Sequence, residues 1–193
     1  MSIQQKKIKR LRKEIEFLQS ELDYVYEVLE EWHLIFEDYH RNYCKDRKID
    51  LGELNRQCSK KVDQLISEPS KKDTGLIIYK DKKDKDVFKK IYKQIAKKLH
   101  PDAGGDEEQF KKATSAMQEK NLQKLLDICD EHAILIEVDE NTIDCLKKQI
   151  LDLKNEIDKQ KSTYSWSLYS CASDKCKDRV IKKFLKHLFN YEE

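Results

Sequence analysis

Between residues 8 and 43 apolar side chains recur at alternating steps of three and four: Ile8, Leu11, Ile15, Leu18, Leu22, Val25, Leu29, Trp32, Phe36, Tyr39 and Tyr43. A strand repeats every two residues and cannot gather these on one side, whereas a helix does. Every a and d position of this heptad repeat is apolar, which predicts a long coiled-coil helix. From Trp32 onward the rings need more room than a tight dimer seam gives, so this end is expected to enter a globular bundle. A second heptad run, Ile143, Leu146, Ile150, Leu153 and Ile157, is its natural partner. Two arrangements fit. The favoured one is an intramolecular antiparallel stalk; in the other each run pairs with its copy in a homodimer. Glu14, Glu16 and Glu21 with Lys147, Lys148 and Lys154 could flank either seam, and such charges do not fix direction.

Composition agrees with an all-α chain. Of 193 residues 39% are charged, with only four glycines and two prolines to make turns. No run of eighteen apolar residues and no signal-peptide core is present, so a soluble, cytoplasmic protein is expected. Cys44, Cys58, Cys129, Cys145, Cys171 and Cys176 are scattered without a CxxC pair, and free thiols are expected. His40 with Cys44, and Cys129 with His132, have helical spacing. Each lacks a second pair, so no metal and no cofactor are assigned.

Residues 87–118 read as helix, tight loop, helix. Phe88, Ile91, Ile95 and Leu99 form one stripe and leave Lys89, Lys90, Lys93, Lys97 and Lys98 to solvent. Pro101 ends the first helix, because it lacks an amide hydrogen and disfavours helical geometry at His100. Gly104-Gly105 permits the reversal, and Asp106 with Gln109 has capping-box spacing. Phe110, Ala113, Ala116 and Met117 are the expected buried face of the second helix. The pair should pack antiparallel, with His100-Pro101-Asp102 pointing away from the core.

With these residues the chain resembles the J-domain (DnaJ-like) co-chaperones, whose diagnostic feature is an HPD tripeptide between two antiparallel helices. Tyr92-Lys93 is similar to that family's tyrosine-basic pair, Ile95-Ala96 to its leucine-alanine step, and Phe110 with Ala116 to its packing positions. Gly104-Gly105-Asp106-Glu107 resembles the loop of some viral and bacteriophage members. The resemblance covers roughly a quarter of the chain. Two departures stand out. The family's short first helix has no recognisable counterpart at Asp73-Thr74-Gly75-Leu76-Ile77-Ile78-Tyr79, and Ala103 stands where lysine is common.

The resemblance implies binding to a DnaK-type heat-shock chaperone and stimulation of its ATP hydrolysis. Asp102 would meet an arginine near the nucleotide-binding domain, and His100 and Pro101 would shape the loop and touch the same surface. Tyr92, Lys93, Lys89, Lys90 and Lys97 would form a basic face for an acidic patch. Residues 85–99 hold six lysines against Asp86, a net +5 on a chain of +2. Such concentration steers an acidic partner.

The expected organisation is a coiled-coil and helical segment at 1–66, a linker at 67–84, the J-like hairpin with a following helix at 85–133, and a helical region at 134–193. Asp50 and Glu53 have capping-box spacing for a helix presenting Leu54, Cys58, Val62, Leu65 and Ile66. Asn121 can cap the helix carrying Leu122, Leu125, Leu126, Cys129 and Ala133. Ser162 to Ser170 reads as a connection whose rings pin it to a bundle, with a client- or partner-binding surface as the alternative. The last helix sets Val180, Ile181, Phe184, Leu185 and Leu188 against lysines, as a docked terminal helix does.

No Gly-rich phosphate loop or paired carboxylates suggest an enzyme, and His100 lacks a nearby nucleophile. The near-neutral charge disfavours nucleic acid, and the docked-helix reading disfavours a membrane partner. A client or assembly partner is expected on the helical stalk. The alternative function is a coiled-coil scaffold that keeps a J-like fold without stimulating a chaperone.

Overall fold

A computed structural model describes residues 3–56, 82–136 and 139–191. Among them the chain is helical, with no strand. Helix α1 spans Ile3–Asp46 and α2 Lys82–Leu99; a single 3-10 turn, Pro101–Ala103, leads to α3, Glu107–Gln118. Then follow α4 Leu122–Glu131, α5 Glu140–Lys161, α6 Tyr164–Tyr169 and α7 Asp174–Phe189. Residues 51–56 are also helical, with the Glu53 amide donating to Asp50 Oδ1 at 3.0 Å. Cys58, Val62, Leu65, Ile66, most of the expected 67–84 linker and the segment 73–79 lie outside the described residues.

The residues divide into two compact units. One joins 3–21 with 82–136 and 139–155; the other joins 22–56 with 156–191. They are not consecutive segments, since α1 and α5 each contribute to both.

The heptad stripe is covered within one chain. Ile8, Leu11, Ile15 and Leu18 are buried in the first unit, and Val25, Leu29, Phe36 and Tyr43 in the second. Each such side chain contributes about 2 kcal/mol by leaving water. The expected antiparallel pairing of α1 with residues 143–164 is not what forms. In the first unit Lys7 lies by Asp144, and Glu14 meets Lys154 Nζ at 2.8 Å. In the second Tyr26 donates to Glu156 at 3.4 Å and His33 Nδ1 lies 2.7 Å from Ser165 Oγ. In the first unit residue numbers rise together from Lys7–Asp144 to Glu14–Lys154, so α1 and α5 run parallel there, whereas against residues 164–169 in the second unit they fall, from Tyr24 beside Tyr169 to His33 beside Ser165. A heptad stripe reads alike in both directions, which is why spacing left the direction open.

In the second unit Phe36, Tyr43, Cys44, Leu54, Leu168, Ile181 and Leu185 make the core. The 162–170 stretch is the short helix α6, capped by Thr163 accepting from the Trp166 amide. Its rings are used internally: Tyr164 packs edge-on to Phe184 and Tyr169 edge-on to Trp32, both at 5.3 Å. Cys171 and Cys176 form a disulfide, correcting the expectation of free thiols for this pair; the start of α7 brings their Cα atoms to 5.5 Å. Cys44, Cys129 and Cys145 are free and buried.

The first unit is built on α2, α3 and α4 with the ends of α1 and α5. Helix α2 begins at Lys82, so the last residues of the expected 67–84 linker are helical. Asp84 explains this: Lys148 Nζ holds both its carboxylate oxygens at 3.0 and 2.9 Å, and the Cys145 thiol donates to it at 3.3 Å. Asn121 caps α4 by accepting from the Lys124 amide at 3.1 Å.

Candidate functional site

The stripe Phe88, Ile91, Ile95 and Leu99 is buried along α2, and Ala113 and Ala116 are buried on α3, while Phe110 and Met117 are only half-buried. His100 faces Phe110 and Tyr92 faces Thr114, so α2 and α3 run antiparallel. Their connection is held by backbone bonds. His100 N–H donates to Ala96 O at 3.0 Å, Gly104 N–H to Pro101 O at 2.9 Å, and Gly105 N–H to His100 O at 3.1 Å. Gly104 takes φ +78°, a left-handed conformation that glycine adopts without steric cost. At Gly105 a Cβ would lie 2.3 Å from the Leu99 carbonyl carbon, so the loop closes this tightly only without a side chain.

Asp106 caps α3 by accepting from the amides of Glu108 and Gln109 at 2.9 and 3.2 Å. The reciprocal half of the expected capping box is missing, and Gln109 Oε1 is buried without a partner. Glu107 and Glu108 follow in the first turn, where the helix dipole favours acids. The hydrogen bond from Lys111, at 2.8 Å, holds the Glu107 carboxyl below its usual range.

The three loop residues differ in environment. Pro101 and Asp102 are exposed, the Asp102 side chain at 92%. His100 is half-buried, its ring edge-on to Phe110 at 4.9 Å, so it does not point away from the core as expected. Its Nδ1 accepts the Asp102 amide at 3.1 Å. Beside them α3 forms one wall of an open groove of about 490 Å³, lined by His100, Pro101, Glu107, Phe110, Lys111 and Thr114 among others. An open groove suits a protein surface better than an enclosed small molecule.

The expected basic face is only partly assembled. Lys89, Lys93 and Lys97 are exposed on α2. Lys90 Nζ lies 3.7 Å from Asp139. Burial pushes the Asp139 carboxyl up, but hydrogen bonds from Thr142 and the Lys90 charge hold it below the usual range. Lys98 donates to the carbonyl of His132. Tyr92 is half-buried, its hydroxyl 3.1 Å from Thr114 Oγ1 and its ring 6.2 Å from Phe110. Thr114 and Asp139, the partners of Tyr92 and Lys90, carry no sequence signal, since each lies far along the chain from the residue it meets.

Among the described residues no three His, Cys, Asp or Glu side chains gather as a metal site. Nor is any helix there long and apolar enough to cross a membrane. No family model, no curated protein and no solved structure matches this chain.

Proposed function

We propose that the chain is a non-catalytic J-domain-like co-chaperone that docks a DnaK-type chaperone through His100-Pro101-Asp102 and stimulates its ATP hydrolysis. One observation carries this reading. The Asp102 carboxylate is 92% exposed, at the tip of a turn whose backbone is already held by His100 and the two glycines. A carboxylate this exposed, on a backbone that is held and with only the His100 ring beside it at 3.6 Å, is suited to pair with a partner's arginine. Lys89, Lys93 and Lys97 lie on the helix leading into the loop and would steer an acidic surface toward it.

The test is single-turnover ATP hydrolysis by a DnaK-type chaperone with the native chain and with His100→Gln and Asp102→Asn. Acceleration by the native chain, lost in both variants with helicity retained, is the expected outcome. No acceleration would overturn the reading.

A second reading, a scaffold with a J-like hairpin that stimulates nothing, draws on the commitment of Tyr92 to Thr114 and of Lys90 to Asp139. Those contacts use two of the proposed docking residues within the chain. A scaffold tolerates Asp102→Asn in every assay of assembly, whereas a co-chaperone loses its activity.

A further inference from the structure

The start of α1 holds a second basic face besides that of α2. Residues 6–13 contain six cations, Lys6, Lys7, Lys9, Arg10, Arg12 and Lys13, and the first acid of the chain is Glu14. Two of the six face other helices. Arg12 holds Asp127 and Asp130 of α4, and Lys7 lies by Asp144 of α5. Lys6, Lys9, Arg10 and Lys13 are exposed, and among the described residues no carboxylate pairs with any of them. Ile3, Lys6, Arg10, Lys13 and Phe17 follow at steps of three, four, three and four. They make a line about 21 Å long on the side of the helix opposite the buried Ile8, Leu11, Ile15 and Leu18. Both ends of the line are apolar and in water, Ile3 87% exposed and Phe17 67%.

This face works against the fold. Cations three and four positions apart on a helix repel, and the first turn of a helix favours acids over bases. On α3 and α5 of the same unit such repulsion is relieved: Glu107 and Glu108 pair with Lys111 and Lys112, and Asp144 with Lys147. Along the line on α1, Glu14 is engaged by Lys154, and the one exposed acid between Ile3 and Phe17 is Glu16, at its far end. A concentration of cations that the fold does not use and does not neutralise is suited to an anionic partner.

We propose that this line is a docking face for an anionic phospholipid bilayer, the start of α1 lying along the membrane surface. Lys6, Lys9, Arg10 and Lys13 meet the headgroup charges, and Ile3 and Phe17 enter the boundary between headgroups and acyl chains. The apolar pair decides between polyanions. A single-stranded nucleic acid is held by rings set among the cations, and here one ring stands at one end of the line and an aliphatic side chain at the other. A bilayer accepts both. Among the described residues no helix is long and apolar enough to cross a membrane, which a helix lying on its surface does not need to be. The sequence expectation against a membrane partner concerned α7, whose apolar stripe is docked through Ile181 and Leu185; it does not bear on α1. The inference does not rest on the chaperone reading.

Co-sedimentation of the full chain with vesicles tests this. The native chain should bind vesicles of phosphatidylcholine containing phosphatidylserine and not vesicles of phosphatidylcholine alone. Binding should fall steeply at about 1 M salt, where the screening length is about 3 Å. Lys6→Glu with Arg10→Glu should weaken it about a hundredfold or more, since each cation at an acidic leaflet is worth about fivefold and each new acid is repelled. Helicity should hold, because the helix dipole favours acids at this end. If it does not, Lys6→Gln with Arg10→Gln decides the same question. Phe17→Ala should weaken binding to the same vesicles about tenfold, by removing the ring that leaves water. A native chain that ignores phosphatidylserine vesicles overturns the proposal, as does binding that survives the charge reversal or Phe17→Ala. So does preference for a single-stranded oligonucleotide over the vesicles, lost on the same reversal, which would assign the line to a nucleic acid.

Discussion

The backbone N–H of Asp102 donates to Nδ1 of His100 at 3.1 Å, so the imidazole caps the turn that presents its neighbour's carboxylate. The Nδ1 lone pair is thereby committed, and the neutral ring carries its proton on Nε2. Within the tripeptide the ring and the Asp102 amide build the loop, while the Asp102 carboxylate, one oxygen 3.6 Å from the same His100 Nδ1, is 92% exposed. Asp102→Asn should therefore change stability by less than about 0.5 kcal/mol. His100→Ala, which loses the cap and the contact with Phe110, should cost about 1 kcal/mol or more. Urea midpoints of the two variants check this difference.

The adjacent glycines should respond unequally to alanine. At Gly104 an added Cβ meets nothing within 4 Å, so Gly104→Ala suffers only the left-handed backbone, about 1 kcal/mol. At Gly105 it would press on the Leu99 backbone from 2.3 Å, and the loop must shift to admit it. Gly105→Ala should cost about 2–3 kcal/mol or more. Thermal melts of both variants should rank them in that order.

Arg12 of α1 forks between Asp127 and Asp130 of α4, one guanidinium nitrogen on each at 2.5 Å. Its side chain is 20% exposed, and Asp127 also accepts from Gln123 at 2.9 Å. Arg12→Met keeps much of the apolar stem and removes both charge-assisted bonds. A loss of about 1–2 kcal/mol in chemical denaturation is expected, discounted for the exposure of the two carboxylates. Most of the effect should survive 1 M salt, because the guanidinium is largely covered.

His40 packs on Phe36 at 6.2 Å and edge-on to Phe184 at 5.1 Å, with Nε2 buried and without a partner. Burial, then the nearby Arg41 charge, pushes its pKa down against the opposing effect of Glu37. The unfolded chain binds the proton first as pH falls. The contribution of His40 to stability is therefore complete above an unfolded pKa of about 6.5 and declines as pH drops from there toward the lower folded value. Denaturation midpoints taken downward from neutral pH should fall in the native chain. His40→Phe, which fills the same aromatic slot, should flatten that part of the profile.

The cysteines should fall into classes on alkylation. Burial pushes the Cys129 and Cys145 thiols up to about 12, with Asp130 adding at the first and the Asp84 hydrogen bond at the second. Both should resist iodoacetamide in the native chain and react once it unfolds. Cys171 and Cys176 should react only after reduction. Reduction should lower stability by about 2 kcal/mol, the chain-entropy value for so short a loop. Peptide mass spectrometry with and without reductant reads the modification at each position.

The elements and their ends were legible in the residues. Steps of three and four announce α1, Pro101 with the two glycines announces the reversal after α2, and Asp106 and Asn121 cap the helices that follow them. The HPD loop was legible for the same reason, because its bonds join residues only a few positions apart. The direction of α5 against α1 was not, since an apolar heptad buries equally well either way. The helical start of α2 was hidden as well: it depends on Lys148 and Cys145, sixty-four and sixty-one positions from Asp84. Thr114 and Asp139 likewise become the partners of Tyr92 and Lys90 only once distant parts of the chain meet. Interactions within one turn are set by spacing along the chain. Those between helices depend on which faces meet, and the packed structure determines that.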